Sequence, residues 1–207
     1  MAAAYRVDAQ RWSELFSELM DPIGARFTRP EARRRVRDFV SGLLAPLPAK
    51  NCWTIAEHAG DDGPGGMQDL IGRASWDDAL VRADVRNFVT ARLGHRDGIV
   101  VVDETGDLQK GTHTVGVQRQ YSGTAGKIEN CQLAVHLSYA SPLGHTLVDV
   151  ALYLPKSWTE DPDRRAEAGV PDTVTFATKP QLARRLIGTP HRRRRRAAGG
   201  RSAACSW

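Results

Sequence analysis

The sequence predicts an α+β protein: a helical N-terminal region, then antiparallel strands with one further helix. Two observations predict it. From residue 12 to 93 the apolar residues recur at helical spacing, and from residue 99 the period drops to two. A third observation bounds the ordered part. After Gly188 the sequence "TPHRRRRRAAGGRSAACSW" has neither period, so 188–207 is expected to be a disordered basic tail. The expected divisions are 1–95, 96–187 and 188–207.

The elements follow in order. Trp12, Leu15, Phe16, Leu19 and Met20 share one helical face, with Asp8 at the start and Pro22 and Gly24 after it. A second helix follows Pro30, its stripe being Val36, Phe39, Val40, Leu43, Leu44 and Leu47, closed by Pro46 and Pro48. A short third helix starts at Asn51, a good N-cap, and stops at Gly60. "GDDGPGGMQ" reads as a helix-to-helix connector, since no strand precedes it and no Lys-Ser/Thr follows as a phosphate loop requires. The next helix spans Ser75 to Leu93, with Ser75 and Asp78 as a capping box and Leu80, Val81, Val85, Phe88 and Val89 as its core face.

Strands come next. Ile99 to Val102 is a continuous β-branched run, expected to be buried on both faces. After a "GDLQKG" turn, a second strand runs from Val115 to about Tyr121. "SGTAGK" turns into a third, where Cys131, Leu133, Val135, Leu137 and Tyr139 alternate with polar or small residues. "SPLG" leads to a fourth carrying Val148, Val150, Leu152 and Leu154. Pro155 to Pro171 reads as a loop, and "TKPQLARRLIG" as a helix with Thr178 or Lys179 at its cap.

Charge and cysteines exclude several classes. The net charge of +5 is local: residues 188–207 carry six arginines and no acid, leaving 23 basic against 24 acidic residues elsewhere. The tail lacks interleaved aromatics, so it predicts general phosphate affinity at most. Cys52, Cys131 and Cys205 have no metal-ligand spacing and read as reduced thiols. No apolar run reaches the ~20 residues of a membrane span, and "MAAAYRVDAQRW" lacks a secretory apolar core. The expectation is a cytoplasmic protein without membrane contact or small-molecule cofactor.

The chemistry centres on "GIVVVDETGDLQKG". A carboxylate at the end of a buried strand is costly unless paired or metal-bound. Asp103 therefore has three readings: a turn cap, an ion pair with a base such as Lys110, or a divalent-metal ligand. Asp149 and Glu129 are candidate partners, and an unrelated metal hydrolase built on Asp103 and Asp149 is a further alternative. His113, His136 and His145 match no metal motif. Arg33, Arg34, Arg35 and Arg37, clustered on the second helix, are candidate phosphate contacts against the plainer reading of a solvated face.

A resemblance narrows these readings. The stretch from "VVVDETGDLQKG" through "SGTAGKIENCQLAVHLSYASPLGHTLVD" is similar to the start of the catalytic domain of bacterial insertion-sequence DDE transposases, in the IS-four-like group and its IS-seven-oh-one-like members. The similarity continues through "LYLPKSWTEDPDRRAEAGVP" and "FATKPQLARRL", reaches back through "GPGGMQDLIGRASWDDALVRADVRNFV", and covers about residues 8 to 187. It implies a ribonuclease-H-like fold whose first strand carries the first catalytic Asp, which falls on Asp103. It implies three carboxylates holding two Mg²⁺ ions for phosphodiester transfer, with transposon-end DNA as partner.

The chain departs from that pattern twice. Asp107 and Gln109 stand where the family has an aromatic residue and a lysine. Beyond the helix at "TKPQLARRL" the family has a strand with the second Asp and, later, the Glu, whereas no acidic residue follows Gly188 here. The expectation is a truncated, catalytically inactive product of low stability, from a frameshift or deletion near Ile187. It could still bind DNA or inhibit a full-length transposase.

Overall fold

The computed structural model describes residues 8–188, in two compact units divided between Phe88 and Val89. The basic tail lies outside the described residues, as does Cys205. The architecture is α+β, helices first and then an antiparallel sheet with helices, consistent with a partial ribonuclease-H-like fold.

In the first unit α1 spans Ala9–Gly24, and the Asp8 carboxylate accepts from the N–H groups of Gln10 and Arg11 at 3.0 and 3.2 Å. The helix does not stop before Pro22. A proline in the last turn costs one backbone bond, and the burial of Met20 and Ile23 on either side holds the turn in place. α2 (Pro30–Leu44) begins with proline at its first position. α3 (Cys52–Ala59) has a complete capping box between Asn51 and Thr54 and ends on Gly60 at φ +81°. α2 and α3 approach closely at Gly42, where a Cβ would lie 2.8 Å from Ile55 Cγ2.

The connector is shorter than "GDDGPGGMQ" implies. Residues 65 and 66 already belong to a fourth helix, α4 (Gly65–Gly72), unexpected because glycine is a poor helix former. Packing overrides propensity here. Met67 and Leu70 are buried, and a Cβ on Gly66 would collide with the Arg35 guanidinium, which pairs with Asp61 in the connector.

α5 (Asp78–Leu93) starts three residues later than the sequence implies. Asp77, not Ser75, receives the first free amides, those of Ala79 and Leu80 at 2.9 and 3.3 Å. Met20, Ile23, Phe27, Val36 and Leu70 form the main core. Leu43, Leu44 and Leu80, placed on core stripes by periodicity, are exposed, as is Trp12, which stacks on Phe16 at 5.2 Å. Arg26, just beyond α1, donates twice to the buried Asp84 carboxylate, at 2.7 and 2.8 Å. That hydrogen bonding raises the guanidinium's pKa above its usual value.

In the second unit four strands form one antiparallel sheet: β1 (Ile99–Leu108), β2 (Gln118–Ser122), β3 (Lys127–Ser141) and β4 (Gly144–Leu152). β3 is common to every pairing. β1 pairs with it from Ile99↔Ala140 to Leu108↔Cys131, β2 from Gln118↔Cys131 to Ser122↔Lys127, and β4 from Ala134↔Leu152 to Ser141↔Gly144. A bulge at Leu137/Ser138 shifts the β4 register. Cys131, Leu133, Val135 and Leu137 are buried, as their alternation predicts, and burial raises the Cys131 thiol pKa. Among the described residues Cys52 and Cys131 are free thiols.

Three strand expectations are corrected. β1 does not end at the acidic pair but continues for four more residues. Its apolar run is not buried on both faces: Ile99, Val100 and Val101 are 64, 40 and 47% exposed, because among the described residues β1 pairs with β3 alone. β2 starts at Gln118 rather than Val115.

The Pro155–Pro171 stretch also holds more structure than a loop, with α6 (Lys156–Thr159) and α7 (Pro162–Glu167). The buried Trp158 organises it. Its indole N–H donates to the Val117 carbonyl at 2.9 Å and the Arg164 guanidinium lies 3.7 Å over its ring. α8 (Lys179–Gly188) is capped by Thr178 and Gln181 and buries Leu182 and Leu186. No helix among the described residues is long and apolar enough to cross a membrane.

Trp158→Ala should cost about 3–5 kcal/mol, since it opens a large cavity and removes the donor to Val117. Urea unfolding followed by far-UV circular dichroism measures it.

Candidate active site

The acidic pair sits mid-strand, and a strand's two-residue period separates its members. Asp103 pairs with His136 and shares that residue's face, together with Val101, Thr105 and Asp107 from β1. Glu104 pairs with Val135 and therefore lies on the buried side of the sheet, with Gly106.

The two carboxylates have different surroundings. The Lys179 ammonium, at the start of α8, lies 2.6 Å from Glu104 Oε2 and 5.7 Å from the Tyr153 ring centroid. Glu104 is thus the member that carries the ion pair. Asp103 is exposed, and one oxygen accepts from the Glu104 N–H at 2.8 Å.

Two of the three readings of Asp103 fall to this geometry. It caps no turn, because the strand runs on to Leu108. Nor does it meet Lys110, which is seven residues up an extended chain, roughly 20 Å away. What is left is a solvent-facing carboxylate on a sheet face.

The proposed carboxylate partners are elsewhere. Asp149 pairs with Leu137, in register with Val102, which puts it on the buried side of the sheet. A hydrolase centre combining Asp103 and Asp149 is therefore ruled out by register. Glu129 is also on the side opposite Asp103. Lys127 hydrogen-bonds to it at 2.8 Å and holds its pKa below the usual value. His136 directly faces Asp103, whereas His113 and His145 are exposed and apart from it. Among the described residues no three His, Cys, Asp or Glu side chains are grouped to hold a metal.

The two departures from the family pattern are now placed. Asp107 lies two strand steps from Asp103 on the same face, opposite Gln132. At Gln109 the backbone does the work: its N–H donates to the Asn130 carbonyl at 2.9 Å, and its carbonyl accepts from Asn130 Nδ2 at 3.0 Å.

The arginines of α2 divide. Arg33 donates to the Phe27 carbonyl at 2.7 Å, Arg35 pairs with Asp61, and Arg37 donates to Ser17 Oγ at 2.9 Å while lying 4.9 Å over the Phe16 ring. Arg34 is exposed, and no contact of its side chain is identified.

Sequence reasoning missed Gly106 as a support of the site. A Cβ there would stand 2.7 Å from Ser122 Oγ and 2.8 Å from Leu133 Cδ2. The glycine lets the tip of the β2–β3 hairpin close over β1, with Ser122 Oγ donating to the Gly106 carbonyl at 3.5 Å. A glycine inside a strand was the available signal. Lys179 was also missed, since nothing local pairs it with a residue 75 positions earlier.

Comparison with known proteins identifies the family. Residues 22–198 match the family described as DDE superfamily endonuclease. The chain is 31% identical over 147 residues to a protein of Microchaete diplosiphon named "Probable transposase for insertion sequence element IS701", an alignment covering 70% of this chain and 36% of that protein. The chain thus spans about a third of the length of that relative. No solved structure matches it.

Asp103→Asn should change stability by no more than about 0.5 kcal/mol, as for an exposed side chain away from packing. Lys179→Ala should cost up to about 1 kcal/mol, because the pair is partly exposed. Gly106→Ala should cost about 1–3 kcal/mol by overpacking. Parallel denaturant titrations of the three variants test that order.

Proposed function

The chain belongs to the DDE superfamily of endonucleases, and from that premise we propose that it is an insertion-sequence transposase chain that acts on transposon-end DNA and whose described residues do not by themselves cut it. Asp103 is the observation that carries the reading. In this reading it is the first carboxylate of the triad; it lies on an exposed sheet face with no ion pair among the described residues, while its neighbour Glu104 is held by Lys179.

The family's phosphodiester chemistry uses divalent metal, Mg²⁺ in this reading, bound by three carboxylates. The described residues do not fit a complete centre of that kind. They bring His136, not a second carboxylate, opposite Asp103, and they group no three donors. This supports a chain that keeps the family's DNA partner and whose described residues do not cut by themselves.

A second role follows if the DNA-binding part is intact: pairing with a full-length transposase, or competing with it for DNA, as an inhibitor. The exposed Arg34 favours it as a phosphate contact, whereas Arg33, Arg35 and Arg37 already serve packing.

Incubation of the protein with supercoiled plasmid carrying transposon ends, in Mg²⁺ or Mn²⁺, should give no nicking above background. Nicking that disappears in Asp103→Asn would overturn the inactive reading. Gel shifts should show DNA binding that weakens steeply between 50 and 200 mM salt, as counterion release requires.

A further inference from the structure

We propose that the outer face of the β2–β3 hairpin is a single-stranded DNA contact, with Tyr121 stacking on an unpaired base and Arg119 meeting an adjacent phosphate. The inference rests on the DNA-acting reading above and adds a surface to it.

The hairpin's two faces differ sharply. On the inner face Ser122 and Cys131 are buried, and Ser122 reaches the Gly106 carbonyl. Gln120 Nε2 donates to the Cys131 carbonyl at 3.0 Å, which adds to the clamp. The outer face is pinned from behind and open in front. There Tyr121 pairs directly with Ile128, and both are 58% exposed, a costly arrangement for a large apolar pair with no partner. Arg119, beside them, is exposed and pairs in register with Asn130.

Charge on the hairpin favours that occupant. Its one carboxylate, Glu129, lies on the other face and is held by Lys127, with a smaller pull from Arg119, so the hairpin's own outer face presents a cation and an aromatic ring; the nearest carboxylate on that side of the sheet is Asp107 of β1, opposite Gln132. Arg plus an exposed ring on a rigid strand is the combination that binds single strands, where every base offers a π-face.

Register adds the position. Ile128, Asn130, Gln132, Ala134 and His136 alternate along one side of β3, and His136 faces Asp103. Tyr121 and Asp103 therefore lie on the same side of one sheet, some eight residues, roughly 26 Å, apart along β3. Asp107 lies between them on that side, so the proposed contact is confined to the hairpin.

Fluorescence anisotropy with labelled single-stranded and duplex oligonucleotides tests the proposal, using the full chain at matched salt. Tyr121→Thr, which keeps a β-branched residue in the strand, should weaken single-strand binding roughly tenfold and duplex binding less. Tyr121→Phe should bind as wild type. Arg119→Ala should weaken both and lower the salt slope by about one. Unchanged single-strand affinity in Tyr121→Thr, with an unaltered circular dichroism melt, would overturn the contact and leave DNA binding standing. So would loss of a wild-type dimer by light scattering in Tyr121→Thr, which would make the face a protein interface. A wild-type protein that binds no DNA at all would overturn the functional reading together with this one. If Tyr121→Thr does not fold, Arg119→Ala decides alone: affinity and salt slope equal to wild type overturn the proposal.

Discussion

All three of its neighbouring strands hydrogen-bond to β3, and the rest of the second unit depends on that arrangement. Its alternation of buried and half-buried residues from Cys131 to Leu137 sets which side of the sheet each neighbour's side chains take, up to the bulge at Leu137/Ser138. A shift of one residue would exchange the faces of Asp103 and Glu104 and bury the wrong carboxylate. The buried row Cys131, Leu133, Val135 and Leu137 fixes that register, because the alternative would expose four apolar side chains and bury Gln132 and His136.

Around this strand the structure uses a few long-range polar contacts where the sequence has little apolar surface to offer. Trp158 closes the segment after β4 onto Val117, and Arg164 covers the ring. Asn130 holds the turn after β1 by donating to the carbonyls of Gln109 and Gly111 at 3.0 and 2.7 Å. Tyr139 fixes the entry to β1: its hydroxyl accepts from the His95 N–H at 2.9 Å and donates to the His95 carbonyl at 3.2 Å. Gly98 leaves room for that ring, as Gly106 does for Ser122. The two glycines of "GIVVVDETG" thus serve close approach rather than turning.

The helical unit follows the same division between local and distant causes. Its caps, Asp8, Asn51 and Gly60, act within three residues of their partners and are visible in the sequence. α4 is not, since its stability comes from Met67 and Leu70 reaching a core formed by other helices. Leu43 and Leu44 make the converse point. They continue an apolar stripe, yet they are exposed while Gly42 before them packs on Ile55 and Leu47 after them packs on the same cluster, and periodicity cannot show which members of a stripe find a partner.

By itself the sequence determined the fold class, the order of nearly all the elements and the alternation of β3, because each depends on spacing within ten or so residues. It also carried the family, since the resemblance extends over most of the chain. Only the tertiary structure decided what the acidic pair does. Asp103 and Glu104 are adjacent in the chain and chemically alike, but pleating sends them to opposite faces. One of those faces meets Lys179 from a helix 75 residues away, and the other remains open. Long-range pairing of that kind leaves no mark on local composition, so it is settled only when the strands and helix pack.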